Sequence, residues 1–384
     1  MKYDENSIKQ TADETANEPK VINKAGKENT AKRSGVRKVM GVVGRILAIL
    51  LETVFLAAIC LYGLMYVVAK GPSPTARDLF VMSVRETSAM KWVANLYFTD
   101  EEIALIESGG EAGNVDEYVE TDTSLINISK PAETTDGPVA DEWGFVDEDG
   151  DGIIIDKVTG EGFVGYMMIV LDPSRVVLGT VPETYGYTGY TVAEMVESFD
   201  AVAGVNAGGF EDPGGSGNGS TPSTITVFEG QIYYDYKGAQ DGFVGFDSNH
   251  VMHVGKFTAQ DIQEKDIQYG VAFGPVLVVN GEAADRSKLA SGINPRTAIG
   301  QRSDGAVLLL VVDGRQAISI GCTWLDLVDI FLEYGAVNAC NLDGGSSTLM
   351  WYQGDYINNC ASVVGIRPVP TTFLVLKEGD VGNE

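Results

Sequence analysis

The longest apolar run of the chain comes near the N-terminus. Residues 46–68 are apolar apart from Glu52, Thr53 and small residues, and a helix of this length covers roughly 34 Å at about 1.5 Å per residue. This length predicts a transmembrane helix, although the carboxylate of Glu52 opposes insertion by about 2.5–3.5 kcal/mol. A cleaved signal peptide fits less well, because its apolar core would be only about 7–15 residues long.

Positive charge is concentrated before this run. Residues 1–34 are polar, and residues 1–45 are predicted to form a disordered tail. Basic residues in the tail just before the apolar run are Lys32, Arg33, Arg37, Lys38 and Arg45. The positive-inside rule then places the N-terminus in the cytoplasm and everything after Lys70 outside. The sequence thus predicts a single-pass protein of the cell membrane that contacts the lipid bilayer through residues 46–68.

The next two segments differ in composition. Residues 69–106 carry apolar positions close to one helical face, which predicts an amphipathic helical stalk. The stripe could serve as a homodimer seam or lie on the membrane surface, and the sequence does not choose between them. Residues 107–142 are rich in Gly, Thr, Pro and acidic residues, which is typical of a solvated linker. We expect neither the span nor the stalk to contribute a residue to the functional site.

Residues 143–384 show short apolar runs that alternate with turns rich in Gly and Asp. Strand-like runs include Gly165 to Leu171, Thr224 to Val227 and Val307 to Val312. Only two segments carry a helical pattern, Val192 to Phe199 and Thr323 to Tyr334. Many strands with few helices favour an α+β fold, with a mostly antiparallel or mixed sheet, over a repeating βαβ sheet.

Charge excludes one class of partner. Of 27 Lys/Arg and 54 Asp/Glu, residues 1–45 hold 10 and 6, which leaves 17 and 48 for the rest of the chain. Such an acidic body repels polyanions, and the sequence contains no basic stripe with interleaved aromatic residues. We therefore expect no nucleic acid partner.

Histidines and cysteines are few. His250 and His253 have no third metal-type ligand at a suitable spacing, which argues against a histidine-based zinc site or catalytic triad. The four cysteines include no CxxC pair and form no disulfide framework. A bridge between Cys340 and Cys360 is one interpretation, and buried free thiols are the favoured one.

One acidic loop resembles a calcium-binding loop in part. Asp147, Asp149 and Asp151 occupy the first, third and fifth positions of an EF-hand-like pattern, with Gly152 at the sixth. The twelfth position is Val158, where a bidentate Glu is needed. A polar β-turn is therefore the better prediction, and no metal site is assigned.

Four turns of the C-terminal part share a composition of Gly, Asp, Asn and Arg. They are Asn206-Ala207-Gly208-Gly209, Asn294-Pro295-Arg296-Thr297, Asp313-Gly314-Arg315 and Asn341-Leu342-Asp343-Gly344-Gly345-Ser346-Ser347. Each alone is best explained as an ordinary turn, because Asp-Gly and Gly-Gly are common hairpin formers. Two adjacent glycines also allow backbone N–H groups to approach an anion closely.

Together and in this order, the four turns resemble the phosphodiester glycosidase family, whose bacterial members are often labelled exopolysaccharide-related. The resemblance covers about residues 143–376 and takes in Gly274-Pro275, Asp172-Pro173-Ser174-Arg175-Val176 and Arg367-Pro368-Val369-Pro370. It implies hydrolysis of the glycosidic bond of a sugar-1-phosphodiester, of the α-N-acetylglucosaminyl type, in surface polysaccharide metabolism. No cofactor is implied.

The resemblance also assigns roles to residues. Asp343 is the expected catalytic carboxylate, which activates water or attacks the anomeric carbon, and Asp313 comes second, orienting or assisting it. Residues expected to bind the phosphate are Arg296, Arg315, Gly344, Gly345, Ser346 and Ser347. Residues expected to bind the sugar are Asn206, Gly208 and Gly209.

Two functions from other classes stay open. A non-catalytic receptor for sugar-phosphate polymers could keep the same residues without turnover. A metal phosphodiesterase would need clustered His and Asp ligands, which this sequence does not offer in its motifs. The sequence leaves open which sugar is removed and whether its configuration is retained.

Overall fold

The computed structural model describes residues 24–87, 90–109, 119–128, 138–211, 217–234, 240–362 and 365–379. The chain divides into two compact units, residues 1–67 and 68–384. Residues 1–23 of the predicted tail and residues 110–118 and 129–137 of the predicted linker lie outside the described part. The boundaries given above for the tail, span, stalk, linker and domain stay predictions.

Seven α-helices lie in the described residues. They are α1 Lys24–Lys70, α2 Pro74–Arg85, α3 Lys91–Ala94, α4 Asp100–Gly109, α5 Val192–Ser198, α6 Ala259–Glu264 and α7 Trp324–Glu333. The sequence predicted α5 and α7 but missed α6, which is only six residues long and begins with a capping box formed by Thr258 and Asp261.

Helix α1 contains the predicted membrane span. Its part from Val39 to Lys70 is long and apolar enough to cross a membrane, by length and composition. This is compatible with a membrane span or a signal anchor. The helix begins at Lys24, so residues 24–45 are helical where the sequence predicted a disordered tail. Extension of a formed helix through Ala, Lys, Glu and Arg costs little, which is a physical reason for the difference.

Short helices follow α1 instead of one continuous stalk. Pro72 and Pro74 interrupt the helix after Lys70, and Ser73 caps α2 by accepting a hydrogen bond from the Ala76 amide. Helices α2, α3 and α4 then pack around a small apolar cluster. Its buried members are Ala69, Val81, Ala94, Phe98 and Ile103.

Nineteen strands lie in the described residues. They are β1 Val139–Ala140, β2 Val146–Asp147, β3 Ile153–Gly160, β4 Phe163–Val170, β5 Val176–Thr180, β6 Ala203–Asn206, β7 Thr226–Phe228, β8 Gln231–Tyr234, β9 Gln240–Asp247, β10 Met252–Phe257, β11 Ile267–Ala272, β12 Val276–Val279, β13 Glu282–Ala283, β14 Arg296–Arg302, β15 Val307–Val312, β16 Ala336–Asn341, β17 Met350–Tyr352, β18 Asp355–Tyr356 and β19 Thr371–Val375.

The strands form three large sheets and one small ribbon. The seven-stranded sheet has the order β13-β12-β16-β14-β15-β4-β3, and the two five-stranded sheets have the orders β18-β17-β6-β19-β5 and β10-β9-β11-β7-β8. The pairings within the described sheets are antiparallel, for example Arg296 with Val312 and Ala298 with Asn341. The predicted α+β class with mostly antiparallel sheet is confirmed.

Strand β15 shows how the sheets pack. All six of its residues are apolar and buried. Val307, Leu309 and Val311 face a core cluster that draws residues from all three large sheets, whereas Leu308 and Leu310 face a second cluster beneath α7. The continuous apolar run therefore reflects burial of both faces of the strand. Helix α5 covers the outer face of the sheet that contains β6 and β19.

Part of the predicted linker contacts the sheets. The Thr121 hydroxyl donates to the Val254 carbonyl at 3.1 Å, and Ile126 is buried beside Val251 and Val337. Further along, Asp141 pairs with the fully buried Arg302 at 2.7 Å. These residues belong to the folded domain.

The acidic loop before β3 is stabilised by hydrogen bonds to its own side chains. Asp147 accepts hydrogen bonds from the Gly150 and Gly152 amides, both at 2.9 Å, and Asp151 accepts one from the Tyr352 hydroxyl at 2.8 Å. The three carboxylates of Asp147, Asp149 and Asp151 lie close enough to share an ion. Their hydrogen bonds are those of the polar turn that the sequence predicted.

Candidate active site

The four turns singled out in the sequence meet where two sheets approach each other, and Asn206 at the end of β6 links them. Its Oδ1 accepts hydrogen bonds from the Thr297 hydroxyl at 2.8 Å and the Leu349 amide at 3.1 Å. Its Nδ2 donates to the Asp343 carbonyl. Because Asn206 is fully buried and its amide is engaged in this way, it positions the Asp343 turn. These contacts favour a positioning role for Asn206, and its expected direct contact with sugar stays a prediction.

Asp343 begins the turn that leaves β16. Its amide donates to the Ala207 carbonyl at 2.9 Å, and the residue is partly exposed. Gly345 has a φ of +63°, a value that few other residues adopt without strain. The hydrogen bond to Ala207 thereby fixes the backbone of the turn at Asp343, while the Asp343 residue keeps access to solvent.

Backbone amides of this turn are engaged within the protein. The Gly345 amide donates to the Pro295 carbonyl at 2.8 Å, and the Ser347 amide donates to the Gly344 carbonyl at 3.1 Å. Ser347 is 2% exposed. Both amides are therefore engaged, because the turn closes as a short 3-10 helix packed on the turn at Pro295. The expected contact of Gly345 and Ser347 with phosphate stays a prediction. Gly344 also packs closely on the turn at Pro295, since a Cβ at Gly344 would lie 2.7 Å from the Pro295 carbonyl oxygen.

Arg315 is the cation that lies over this turn. Its Nη1 donates to the Ser346 hydroxyl at 3.3 Å, and its Nη2 donates to Asn294 Oδ1 at 3.1 Å. Partial desolvation lowers the pKa of Arg315, and the positive charges of Arg296 and Arg367 lower it further. Three guanidinium groups thus act on one exposed region beside Ser346, which favours binding of an anion.

Arg296, by contrast, is 6% exposed and is engaged within the protein. Its Nη2 contacts Glu86 Oε2 at 2.7 Å and the Gly292 carbonyl at 2.6 Å, and its Nε donates to the Cys322 carbonyl at 3.3 Å. The guanidinium also lies 5.4 Å from the ring centre of Trp324. Arg296 therefore contributes positive charge from behind the surface, and Arg315 is the better placed of the two for direct contact.

Asp313 ends β15 and is 2% exposed. Its Oδ1 accepts from Asn358 Nδ2 at 3.1 Å and from the Asn359 amide at 2.9 Å, and its Oδ2 accepts from Asn359 Nδ2 at 2.9 Å. Asn358 Nδ2 also donates to the Thr348 carbonyl at 3.1 Å. Of the two roles left open for Asp313, these contacts favour orientation of the turn at Asp343 over direct chemistry.

Gly208 and Gly209 provide close packing. The Gly208 amide donates to the Thr371 hydroxyl at 2.9 Å, and a Cβ at Gly209 would lie 2.9 Å from the Phe273 ring. Both glycines are buried. A larger residue at Gly209 would displace the Phe273 ring or the Ser223 hydroxyl. The expected contact of both glycines with sugar stays a prediction.

Thiol and imidazole groups offer no nucleophile near the turn. All four cysteines are free, which agrees with the favoured interpretation over a bridge between Cys340 and Cys360. Burial raises the pKa of the Cys340 thiol to about 12 and that of Cys322 higher still, so both stay protonated at neutral pH. His253 is buried and pairs with Asp247 at 3.0 Å.

Sequence reasoning missed several residues of this region. Glu86 and Thr87, from the predicted stalk, contact Arg296 and Arg315, although the stalk was expected to contribute no residue to the site. Arg367 belongs to the Arg367-Pro368-Val369-Pro370 motif, which could have led to it. No sequence signal marks Glu86, which meets Arg296 across 210 positions of the chain.

One family model and one curated protein match part of this chain. Residues 199–376 match the family model described as phosphodiester glycosidase. A curated relative is the SPbeta prophage-derived uncharacterized protein YomE of Bacillus subtilis (strain 168), 30% identical over 225 residues that cover 56% of this chain and 33% of the relative. The chain thus spans about a third of the length of this curated relative.

Solved structures show a similar fold. The catalytic domain of zebrafish N-acetylglucosamine-1-phosphodiester alpha-N-acetylglucosaminidase, auto-inhibited by its pro-peptide, has a TM-score of 0.51 at 18% identity and covers 65% of this chain and 87% of its own. A hypothetical protein from Synechocystis has a TM-score of 0.42 at 15% identity and covers 60% and 65%. The resemblance to the phosphodiester glycosidase family that the turn motifs indicated is confirmed by the family model over residues 199–376 and by the fold of the zebrafish catalytic domain.

Proposed function

We propose that this protein hydrolyses the glycosidic bond of a sugar-1-phosphodiester, with Asp343 as the catalytic carboxylate and Arg315 as the principal phosphate ligand. The observation that carries the proposal is the contact of Arg315 with Ser346, three residues after Asp343 in the same turn. The cation of Arg315 therefore contacts the same turn as the partly exposed Asp343. This is the pairing needed to attack an anomeric carbon while an anionic phosphate departs.

The proposed reaction needs few catalytic groups besides the carboxylate and the cation. A phosphate is a weakly basic leaving group, so protonation by a general acid matters less than it does for an alcohol. Asp343 can activate a water molecule or attack the anomeric carbon itself. The name of the zebrafish relative supports an α-N-acetylglucosaminyl substrate, and we place the reaction in surface polysaccharide metabolism.

The bond that breaks can be identified with ¹⁸O-labelled water. Attack at carbon is expected to leave the released phosphate monoester unlabelled, because its oxygens all come from the substrate. Attack at phosphorus would place the label in phosphate. Mass spectrometry of the phosphate product after enzymatic turnover gives the answer, and phosphate is the better product to measure because anomeric oxygen exchanges with water after release.

Labelled phosphate, or release of free sugar-1-phosphate, would contradict the glycosidase proposal and favour a phosphodiesterase. A matched incubation of unlabelled substrate without enzyme controls for spontaneous exchange. Binding of the substrate with no product of either kind would indicate the non-catalytic receptor.

We further propose that α1 anchors the protein in the cell membrane with the N-terminus in the cytoplasm. The apolar part Val39–Lys70 and the preceding basic residues support this orientation. In protoplasts, protease added outside is expected to remove a C-terminal tag and to spare an N-terminal one, as read by immunoblot. The reverse pattern, or protection of both tags until lysis, would contradict the orientation.

A further inference from the structure

The C-terminal end of α2 reaches the arginine residues of the candidate site. Glu86 Oε2 accepts from Arg296 Nη2 at 2.7 Å and from Asn294 Nδ2 at 2.9 Å. Its Oε1 accepts from the Gly292 amide at 2.8 Å. One carboxylate therefore fixes three groups in the segment that leads into β14.

The neighbouring residue contacts the second arginine. Thr87 Oγ1 accepts a hydrogen bond from Arg315 Nη2 at 2.8 Å and lies 3.4 Å from Asn294 Oδ1. Asn294 Oδ1 also accepts from Arg315. Glu86 and Thr87 thus hold Arg296 and Arg315, which the fold brings to them from more than 200 positions away.

Helix α2 is seated on this segment by direct backbone contact. A Cβ at Gly292 would lie 2.3 Å from the Ser83 amide nitrogen, so only glycine permits this approach. The Ile293 amide donates to the Ser83 hydroxyl at 2.9 Å. Contacts of this kind require one fixed position of the helix.

We propose that Glu86 and Thr87 are positioning residues of the phosphate site, so that the segment just after the apolar helix is an integral part of the catalytic unit. This inference rests on the proposed function. Arg315 has a φ of +58°. The positive charges of Arg296 and Arg367 act on its guanidinium group. Like charges repel, and the oxygens of Thr87 and Asn294 oppose that repulsion by fixing Nη2.

Glu86 has a separate effect through charge. Its side chain is 25% exposed, and it forms an ion pair with Arg296, whose side chain is 7% exposed. A guanidinium that is paired behind the surface does not compete with Arg315 for an incoming phosphate. The pair thus directs the anion to the exposed cation beside Ser346.

A carboxylate among arginines could instead compete with an anionic substrate. Competition would require Glu86 to leave, which would break its bond to the Gly292 amide and leave Arg296 buried without its carboxylate. The contact between Ser83 and Gly292 argues further against such movement. The two ideas predict opposite effects when the charge of Glu86 is removed.

The test uses the full chain in detergent with four variants: Glu86→Gln, Thr87→Val, Thr87→Ser and Glu107→Gln. Glu107, in α4, pairs with Arg85 of α2 at 2.7 Å and serves as the matched control. We measure kcat and KM on a methyl sugar-1-phosphodiester, titrate inorganic phosphate by calorimetry, and record the melting temperature.

We expect Glu86→Gln and Thr87→Val to lower kcat/KM by about 10- to 100-fold, because a small displacement of a positioned group has effects of this size. Phosphate should bind these two variants more weakly. Thr87→Ser, which keeps the hydroxyl, and Glu107→Gln should stay close to the parent protein.

A rise in kcat/KM or in phosphate affinity for Glu86→Gln would overturn the proposal in favour of competition. A lower melting temperature with unchanged kinetics and phosphate affinity would overturn it in favour of a purely structural role. If the parent protein has no turnover, the proposed function fails on its own, and phosphate titration still decides this inference. Absence of phosphate binding by the parent would overturn it.

Discussion

Asp343→Asn is expected to reduce turnover by about 100- to 10,000-fold, the range for loss of a general base, while substrate still binds. The substitution keeps the shape of the side chain and removes its charge. The Asp343 amide donates to the Ala207 carbonyl, and the Asp343 carbonyl accepts from Asn206 Nδ2, so the turn should keep its position. Steady-state kinetics measures the loss, and titration with substrate measures the retained binding.

Asp355→Asn provides the matched control, since Asp355 is an exposed carboxylate on β18 outside the four turns. It should leave kcat and KM unchanged. Near-normal turnover of a well-folded Asp343→Asn protein would show that Asp343 is structural. The catalytic assignment would then move to Asp313, despite its burial.

Arg315→Ala is expected to lower kcat/KM by about 100- to 1,000-fold, as loss of one group that stabilises developing negative charge does. The folded protein should change little in stability, because the exposed Arg315 side chain donates only to neutral oxygens of Thr87, Asn294 and Ser346. Kinetics on the sugar-1-phosphodiester and a thermal melt test the two parts.

Arg296→Ala is the informative comparison. Its removal leaves Glu86 without a counter-charge, which should cost about 3 kcal/mol of folding free energy, near the lower end for buried pairs because the Glu86 side chain is 25% exposed. A chemical denaturation curve measures this cost. An Arg296→Ala protein of normal stability, together with an Arg315→Ala protein of normal activity, would contradict the separation of roles.

Local patterns predicted the fold class well. The six apolar residues of β15 follow from burial of both strand faces, and α5 and α7 begin with capping boxes that are visible in the sequence. Helix α6 was missed because six residues give too short a hydrophobic pattern. Its capping residues alone were the available signal.

The candidate site was predicted only in part. The order of the motifs along the chain correctly grouped the four turns that meet in the structure. It could not show which of their groups face solvent. In the sequence, Asn206 is simply a polar residue of a motif. Only the structure shows that its side-chain amide is hydrogen-bonded within the protein, to Thr297, Leu349 and Asp343. Glu86 carries no motif, and its contact with Arg296 depends on how α2 folds back.

Asn206 joins segments from two sheets through a single buried amide, and this has a consequence for how the protein loses its structure. The Asp343 carbonyl, the Leu349 amide and the Thr297 hydroxyl are all bound to it. None of these segments can open alone without exposing a buried polar group that has lost its partner. The amides of Asp343 and Leu349 should therefore exchange their hydrogens only in the slowest class, which requires global unfolding. The turn at Asp343 then stays ordered for as long as the domain is folded. A destabilising substitution far from the turn should therefore reduce activity only by reducing the fraction of folded protein.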